Sequence, residues 1–153
     1  GDTHYGYVDV TDTWNVTELA PYAALIGAQQ CDVIMTAHIF NATLDPEYPA
    51  TLSANIITGL LREKLGYDGV VISDDMQMGA IANQYNLETA VRLAINAGVD
   101  IIAFSNNIPF SRGADANRLH TIITGLVEDG SIRPDRIDRS YQRIMRLKRQ
   151  LPG

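Results

Sequence analysis

Two neighbouring carboxylates, Asp74 and Asp75, close a short run with no polar side chain, Gly69-Val70-Val71-Ile72. The run is entered through a turn, Gly66-Tyr67-Asp68-Gly69, and stops abruptly at Ser73. A β-branched run bounded by a glycine turn reads as a strand buried on both faces, the kind found in parallel sheets. A carboxylate at the C-terminal end of such a strand stands at the mouth of the sheet or barrel, where α/β enzymes place their chemistry. From there it could attack an anomeric carbon and leave again. The competing reading is structural, because aspartates also cap the helix that follows. Position alone leaves both open for Asp74; Asp75 is read as supporting or capping the next loop.

Other polar residues invite the same question. His38 ends an earlier apolar run, Val33 to His38, and should point to the same mouth as Asp74. Asp2 and His4 form Asp-Thr-His near the start of the chain. In isolation that triplet means little, since a lone histidine is usually a surface or packing residue. Met76 and Met78 follow the carboxylates and could line a pocket there, although methionine more often fills gaps in a core. His120 reads as a surface residue within a helix, and Asn106 and Asn107 as a turn. There is no histidine or cysteine pair at metal-ligand spacing, so neither a metal nor another cofactor is expected. No glycine-rich loop follows a strand as a phosphate cradle would.

The elements that must hold these residues alternate. Helical patterns cover Thr17 to Gln29 (capped by Thr17, with Leu19, Tyr22, Ala23 and Ile26 on one face), Ser53 to Leu65, Met76 to Gln84, Leu87 to Ala97, Ser111 to Asp129 and Pro134 to Arg149. Strand patterns cover Val33 to His38, Val70 to Ser73 and Asp100 to Ser105. Strands separated by helices indicate right-handed crossovers and a parallel α/β sheet. Three strands with about six helices make an awkward complete domain but a good second half of a (β/α)8 TIM barrel.

Composition sets the outer bounds. At 153 residues, 46% hydrophobic and 20% charged, the chain has the make-up of one ordinary globular domain. A net charge of -6 leaves no basic excess for phosphates, so a general nucleic-acid binder is not expected. No apolar run approaches the roughly 20 residues of a membrane span. The single cysteine, Cys31, cannot form an intrachain disulfide and reads as a small buried thiol.

The stretch Leu60-Leu61-Arg62, then Gly69-Val70-Val71-Ile72-Ser73-Asp74, resembles the nucleophile signature of glycoside hydrolase family 3. That family prefers a small residue three places beyond the nucleophile, where this chain has Gln77. MTAHI at Met35 to Ile39, LDPEYPATLS at Leu44 to Ser53 and AINAGVDIIAFSNN at Ala94 to Asn107 extend the resemblance over nearly the whole chain. It implies the last three strands of the family's barrel, with the upstream part missing, and Asp74 as nucleophile. One branch, the β-N-acetylglucosaminidases related to the peptidoglycan-recycling enzyme, carries Asp-Ser/Thr-His on a loop, the histidine being the acid/base and the aspartate its partner. Asp2-Thr3-His4 is such a motif, and Tyr5-Gly6 also fits. A histidine, with an ordinary pKa of about 6.5, can both give and take a proton near neutral pH.

The resemblance further implies that His38 lies near the sugar, with Met76 lining the site. The implied reaction is retaining hydrolysis of terminal β-linked N-acetylglucosamine, in muropeptides or chitooligosaccharides, through a glycosyl-Asp intermediate. The alternatives are a β-glucosidase or phosphorylase of the same family, and a half-barrel without activity that only binds or associates. Activity is expected to need the longer parent protein. A half-barrel exposes unpaired strands, so self-association along its open edges is expected of the isolated chain.

Overall fold

The computed structural model of the chain describes residues 1–106 and 115–150. In chain order come β1 (Val8–Asp9), α1 (Ala20–Gly27), β2 (Val33–Met35), β3 (Ile39–Phe40), a helix at Asn55–Lys64, β4 (Val70–Asp75), α2 (Gly79–Ala82), α3 (Leu87–Ala97), β5 (Ile101–Ala103), α4 (Ala116–Glu128) and α5 (Pro134–Gln150). β4 is the centre of a three-stranded sheet ordered β2–β4–β5, and both pairings are parallel. Parallel neighbours require crossovers; the Asn55–Lys64 helix supplies the first and α3 the second. β1 and β3 form a separate parallel pair. The sequence pattern shows neither, because two residues carry no period.

Local chemistry fixes the helix ends. Ser53 opens the Asn55–Lys64 helix as expected, its hydroxyl accepting from the Ile56 N–H at 3.0 Å and donating to Asp45 at 2.5 Å. The winding is wide, of π type, and closes with the Leu65 N–H on the Leu60 carbonyl. The cap before α1 is not Thr17. Asn15 accepts from the Thr17 N–H at 2.9 Å, and Glu18 reaches back to the Asn15 N–H at 3.0 Å, a capping box two residues earlier than expected, on the 3-10 turn Val16–Leu19 that leads into α1. α3 has the expected bounds, with Asn86 as its cap and Gly98 at its end. Gly98 adopts φ +124°, and a Cβ there would stand 2.8 Å from Ile57 Cγ2. The expected helix from Ser111 begins outside the described residues, where Asn107 also lies, and its described part is α4.

The core gathers on both sides of α3. Leu52, Ile57, Val71, Ile81, Ala94 and Val99 pack towards the sheet, and Val91, Ile95, Leu126 and Ile132 towards α4. Each fully buried large aliphatic side chain contributes about 1.5–3 kcal/mol relative to exposure. The other flank is open. α1 buries none of its residues, and Tyr22, expected on a buried face, is half exposed. On β2, Val33 and Met35 are 42% and 64% exposed. Cys31, just before β2, is half-buried rather than enclosed.

The N-terminal ends of β4 and β5 are tied by one carboxylate. Asp100 has no exposed side-chain surface and takes Arg62 at 2.7 Å, Arg136 at 3.1 Å, the Ser140 hydroxyl at 2.7 Å and the Val71 N–H at 3.0 Å. Arg62 also donates to the carbonyls of Gly69 and Gly98, at 3.0 and 3.1 Å. Burial lowers the pKa of both arginines, and the Asp100 charge opposes that.

Candidate active site

At the other end, β4 leaves its register. Ile72 stands opposite Ile101 and Asp75 opposite Ala103, so β4 holds one more residue than β5 over the same interval. This is a β-bulge at Ser73-Asp74. The buried hydroxyl of Ser73 closes the gap by accepting the Ala103 N–H at 2.9 Å, where a regular ladder would use a carbonyl. Pairing resumes one residue later, with the Met76 N–H on the Ala103 carbonyl at 3.0 Å. The bulge sets the direction of Asp74, which is half-buried at the end of the strand. One Asp74 carboxylate oxygen accepts the Asp75 N–H at 2.8 Å.

Asp75 does the supporting work expected of it. Its carboxylate accepts the Gln77 N–H at 3.0 Å, the Ser105 N–H at 3.3 Å and the Ser105 hydroxyl. Gln77 adds a second tie, its side-chain oxygen accepting the Asn106 N–H at 2.7 Å. The loops after β4 and β5 are thereby joined. Asn106 itself takes φ +55°, in keeping with a turn residue.

His38 is buried, at 1% exposure, and both ring nitrogens are engaged. Nε2 lies 2.9 Å from the Asp75 carbonyl, which can only accept, so Nε2 carries the proton. Nδ1 lies 2.8 Å from the Thr51 hydroxyl. Burial lowers the pKa of His38, against the opposing pull of the Asp75 carbonyl and the Asp74 and Asp75 charges. The Thr51 hydroxyl in turn donates to the Ala37 carbonyl at 3.1 Å, so the ring is held from both sides. Both ring nitrogens are thus engaged within the protein. Met76 is 3% exposed and packs in the core with Leu52 and Ile81. That is the gap-filling alternative rather than a side chain presented at the mouth. His120 is exposed on α4.

Asp2 and His4 are a pair. His4 Nδ1 stands 2.8 Å from Asp2 Oδ1, and the His4 backbone N–H donates to the same oxygen at 2.9 Å. These two bonds, the backbone one first, hold the Asp2 carboxyl below its ordinary pKa. The pair is exposed, and its loop is docked. The Gly79 N–H donates to the His4 carbonyl at 3.0 Å, and the Ala80 N–H to the Thr3 carbonyl at 3.1 Å. Asn83 reaches the Tyr5 carbonyl at 3.5 Å. The Asp-Thr-His loop thus sits on the first turn of α2, five residues beyond Asp74. Ser73, Thr51, Gln77 and Gly79 all act here without having been singled out for it. Ser73 carried a signal, a polar residue ending an apolar strand; the other three acquire their roles only through partners distant in sequence. Among the described residues, no group of three His, Cys, Asp or Glu side chains is placed to hold a metal.

A parallel strand thus ends in a bulged aspartate, and a loop that carries a histidine–aspartate pair is bonded to the helix that follows it. The sequence profile of the glycosyl hydrolase family 3 N terminal domain matches residues 1–147. β-Hexosaminidase A of Pseudoalteromonas piscicida is 34% identical over 168 aligned residues, which cover 99% of this chain and 28% of that protein. The crystal structure of CbsA from Thermotoga neapolitana superposes with a TM-score of 0.85 at 32% identity, covering 99% of this chain and 34% of that one. The family 3 β-N-acetylglucosaminidase of Paenibacillus sp. str. FPU-7 gives a TM-score of 0.81 at 35% identity, over 97% of this chain and 28% of its own. The chain belongs to glycoside hydrolase family 3, and its fold is part of a (β/α)8 barrel. It spans about a third or less of the length of these relatives.

Proposed function

We propose that this segment supplies the nucleophile and the acid/base of a retaining glycosidase that removes terminal β-linked N-acetylglucosamine, from muropeptides or chitooligosaccharides. The observation that carries the reading is the Asp2–His4 pair, docked through its backbone on the turn that follows Asp74. Asp74 attacks the anomeric carbon while His4 gives its proton to the glycosidic oxygen, and the bond to the leaving group breaks. His4 then takes a proton from water, the water attacks the same carbon, and Asp74 is released. Asp2 orients the imidazole through its bond to Nδ1. This replaces the second carboxylate of the usual pair with a histidine. The names of the β-hexosaminidase and β-N-acetylglucosaminidase relatives support the sugar.

The segment forms the C-terminal part of the catalytic barrel, and the open β2 flank is covered by the remaining strands and helices of the longer protein. In that full-length enzyme, Asp74→Asn should lower turnover on the order of a thousandfold or more. A 2-deoxy-2-fluoro glycoside should leave its sugar on the peptide containing Asp74. A label on another residue, or an active Asn variant, removes Asp74 from the role.

A further inference from the structure

We infer that Gly79 is a positioning residue for the acid/base loop: its missing side chain and its N–H form a latch that seats His4 beside the nucleophile strand. The inference rests on the reading of His4 as acid/base. A Cβ on Gly79 would lie 2.7 Å from both the carbonyl carbon and the oxygen of Tyr5, and 2.9 Å from the His4 carbonyl oxygen. These are backbone atoms, so no side-chain rotation relieves the clash. The same residue donates its N–H to the His4 carbonyl at 3.0 Å, and Ala80 extends the contact to Thr3 at 3.1 Å. The loop can stand this close only because position 79 carries no side chain.

The glycine is not there for its conformational range. Gly66, Gly98 and Gly130 are the described glycines with positive φ, and Gly79 is not among them. Alanine is a better helix former than glycine, so α2 itself would tolerate Gly79→Ala. What the substitution removes is the seat of the loop. The seat is also rigid with respect to Asp74. The Asp75 carbonyl accepts the Met78 N–H at 3.0 Å, and the Asp75 carboxylate accepts the Gln77 N–H at 3.0 Å, so the turn between Asp74 and Gly79 is closed by its own bonds. The strand that carries Asp74 and the loop that carries His4, far apart in sequence, are joined through this one turn.

The test compares four variants of the full-length enzyme, Gly79→Ala, His4→Ala, the double variant and Gly125→Ala. Gly125 is the control for the same chemical change, since a Cβ there meets nothing within 4 Å. Each is assayed on an unactivated N-acetyl-β-glucosaminide, which needs protonation to leave, and on an aryl glycoside with a good leaving group. Gly79→Ala should lose about a hundredfold or more in kcat/KM on the first and less than about tenfold on the second. The double variant should be no worse than His4→Ala within about threefold, because both changes act through one group. Gly125→Ala should match the parent, and the melting temperature of Gly79→Ala should not fall. Parent-like activity of Gly79→Ala, equal losses on both substrates, or additive losses in the double variant would each overturn the latch. If His4→Ala itself shows no preference between the substrates, the acid/base reading fails and takes the latch with it.

Discussion

Replacing Ser73 by alanine asks how much the bulge beside Asp74 depends on a single hydroxyl. The Ser73 side chain is fully buried, and its oxygen is the acceptor of the Ala103 N–H at 2.9 Å. Alanine removes the oxygen and leaves that N–H without its acceptor at a buried position. An amide stripped of its partner in this way costs about 1–3 kcal/mol. In a domain of about 150–250 residues, each kcal/mol lowers the melting temperature by roughly 2–4 °C, so a fall of roughly 2–12 °C is expected. The kinetic effect should be larger than the loss of stability suggests. The bulge can regain a partner for Ala103 only by sliding β4 back towards regular pairing, which moves Asp74. A displacement of about 1 Å at a reacting group costs on the order of a hundredfold in rate. Ser73→Thr keeps the hydroxyl and should hold turnover within about tenfold of the parent, the extra methyl being the only strain to absorb. Melting curves and kcat on an aryl glycoside, measured on the full-length enzyme, separate the two effects. Unchanged stability and turnover in Ser73→Ala would show that the bulge holds without the hydroxyl, and the reasoning would be refuted.

Two further outcomes follow from the site and the open flank. His38 has a folded-state pKa below its ordinary value, because burial outweighs the neighbouring acceptor and charges. The unfolded chain therefore binds the extra proton first, and the stabilisation from the neutral ring is complete above about pH 6.5 and lost as the pH falls below it. His38→Gln, which keeps a donor for the Asp75 carbonyl, should show a smaller drop in melting temperature between neutral and mildly acidic pH; an equal drop assigns the proton elsewhere. Residues 1–153 expressed alone should associate or precipitate through the exposed β2 flank and show no turnover of aryl N-acetyl-β-glucosaminides. A soluble monomer with parent-like turnover by light scattering and assay would defeat the proposed need for the rest of the barrel.

What could be read from the chain depended on whether its physics was local. β4 announces itself as a buried run, and α3 keeps its predicted bounds because cap, apolar face and terminal glycine agree. The pairing of Asp2 with His4 spans two residues, but it was legible only through the family resemblance, since the triplet by itself means little. β1 and β3 were invisible, since each holds two residues and exists through the other. The exposed face of α1 misled for a related reason, because its apolar residues anticipate a partner surface that the described residues do not supply. The bulge at Ser73 is a relation between two strands, so β4 alone could not reveal it. Gly79 reads as an unremarkable helix residue until a loop from the start of the chain is laid against it. The engagement of both His38 nitrogens likewise depends on Thr51 and Asp75, which lie in different elements.

The two ends of β4 divide the signature between two kinds of work. Arg62 belongs to the signature, yet it lies at the N-terminal end, binding the buried Asp100 and two backbone carbonyls. It ties the entrances of β4 and β5 together, opposite the end that carries the bulge. Because that end is fixed by charge-assisted bonds from several directions, β5 cannot slide to absorb the extra residue of β4, and the mismatch must appear beyond Ile72. It therefore falls at Ser73-Asp74, at the C-terminal end of the strand, where a bulge re-aims the side chains it carries. The basic residue and the aspartate of the signature are in this sense one device: the first denies the strand pair its slack, and the second stands where the register is forced to break.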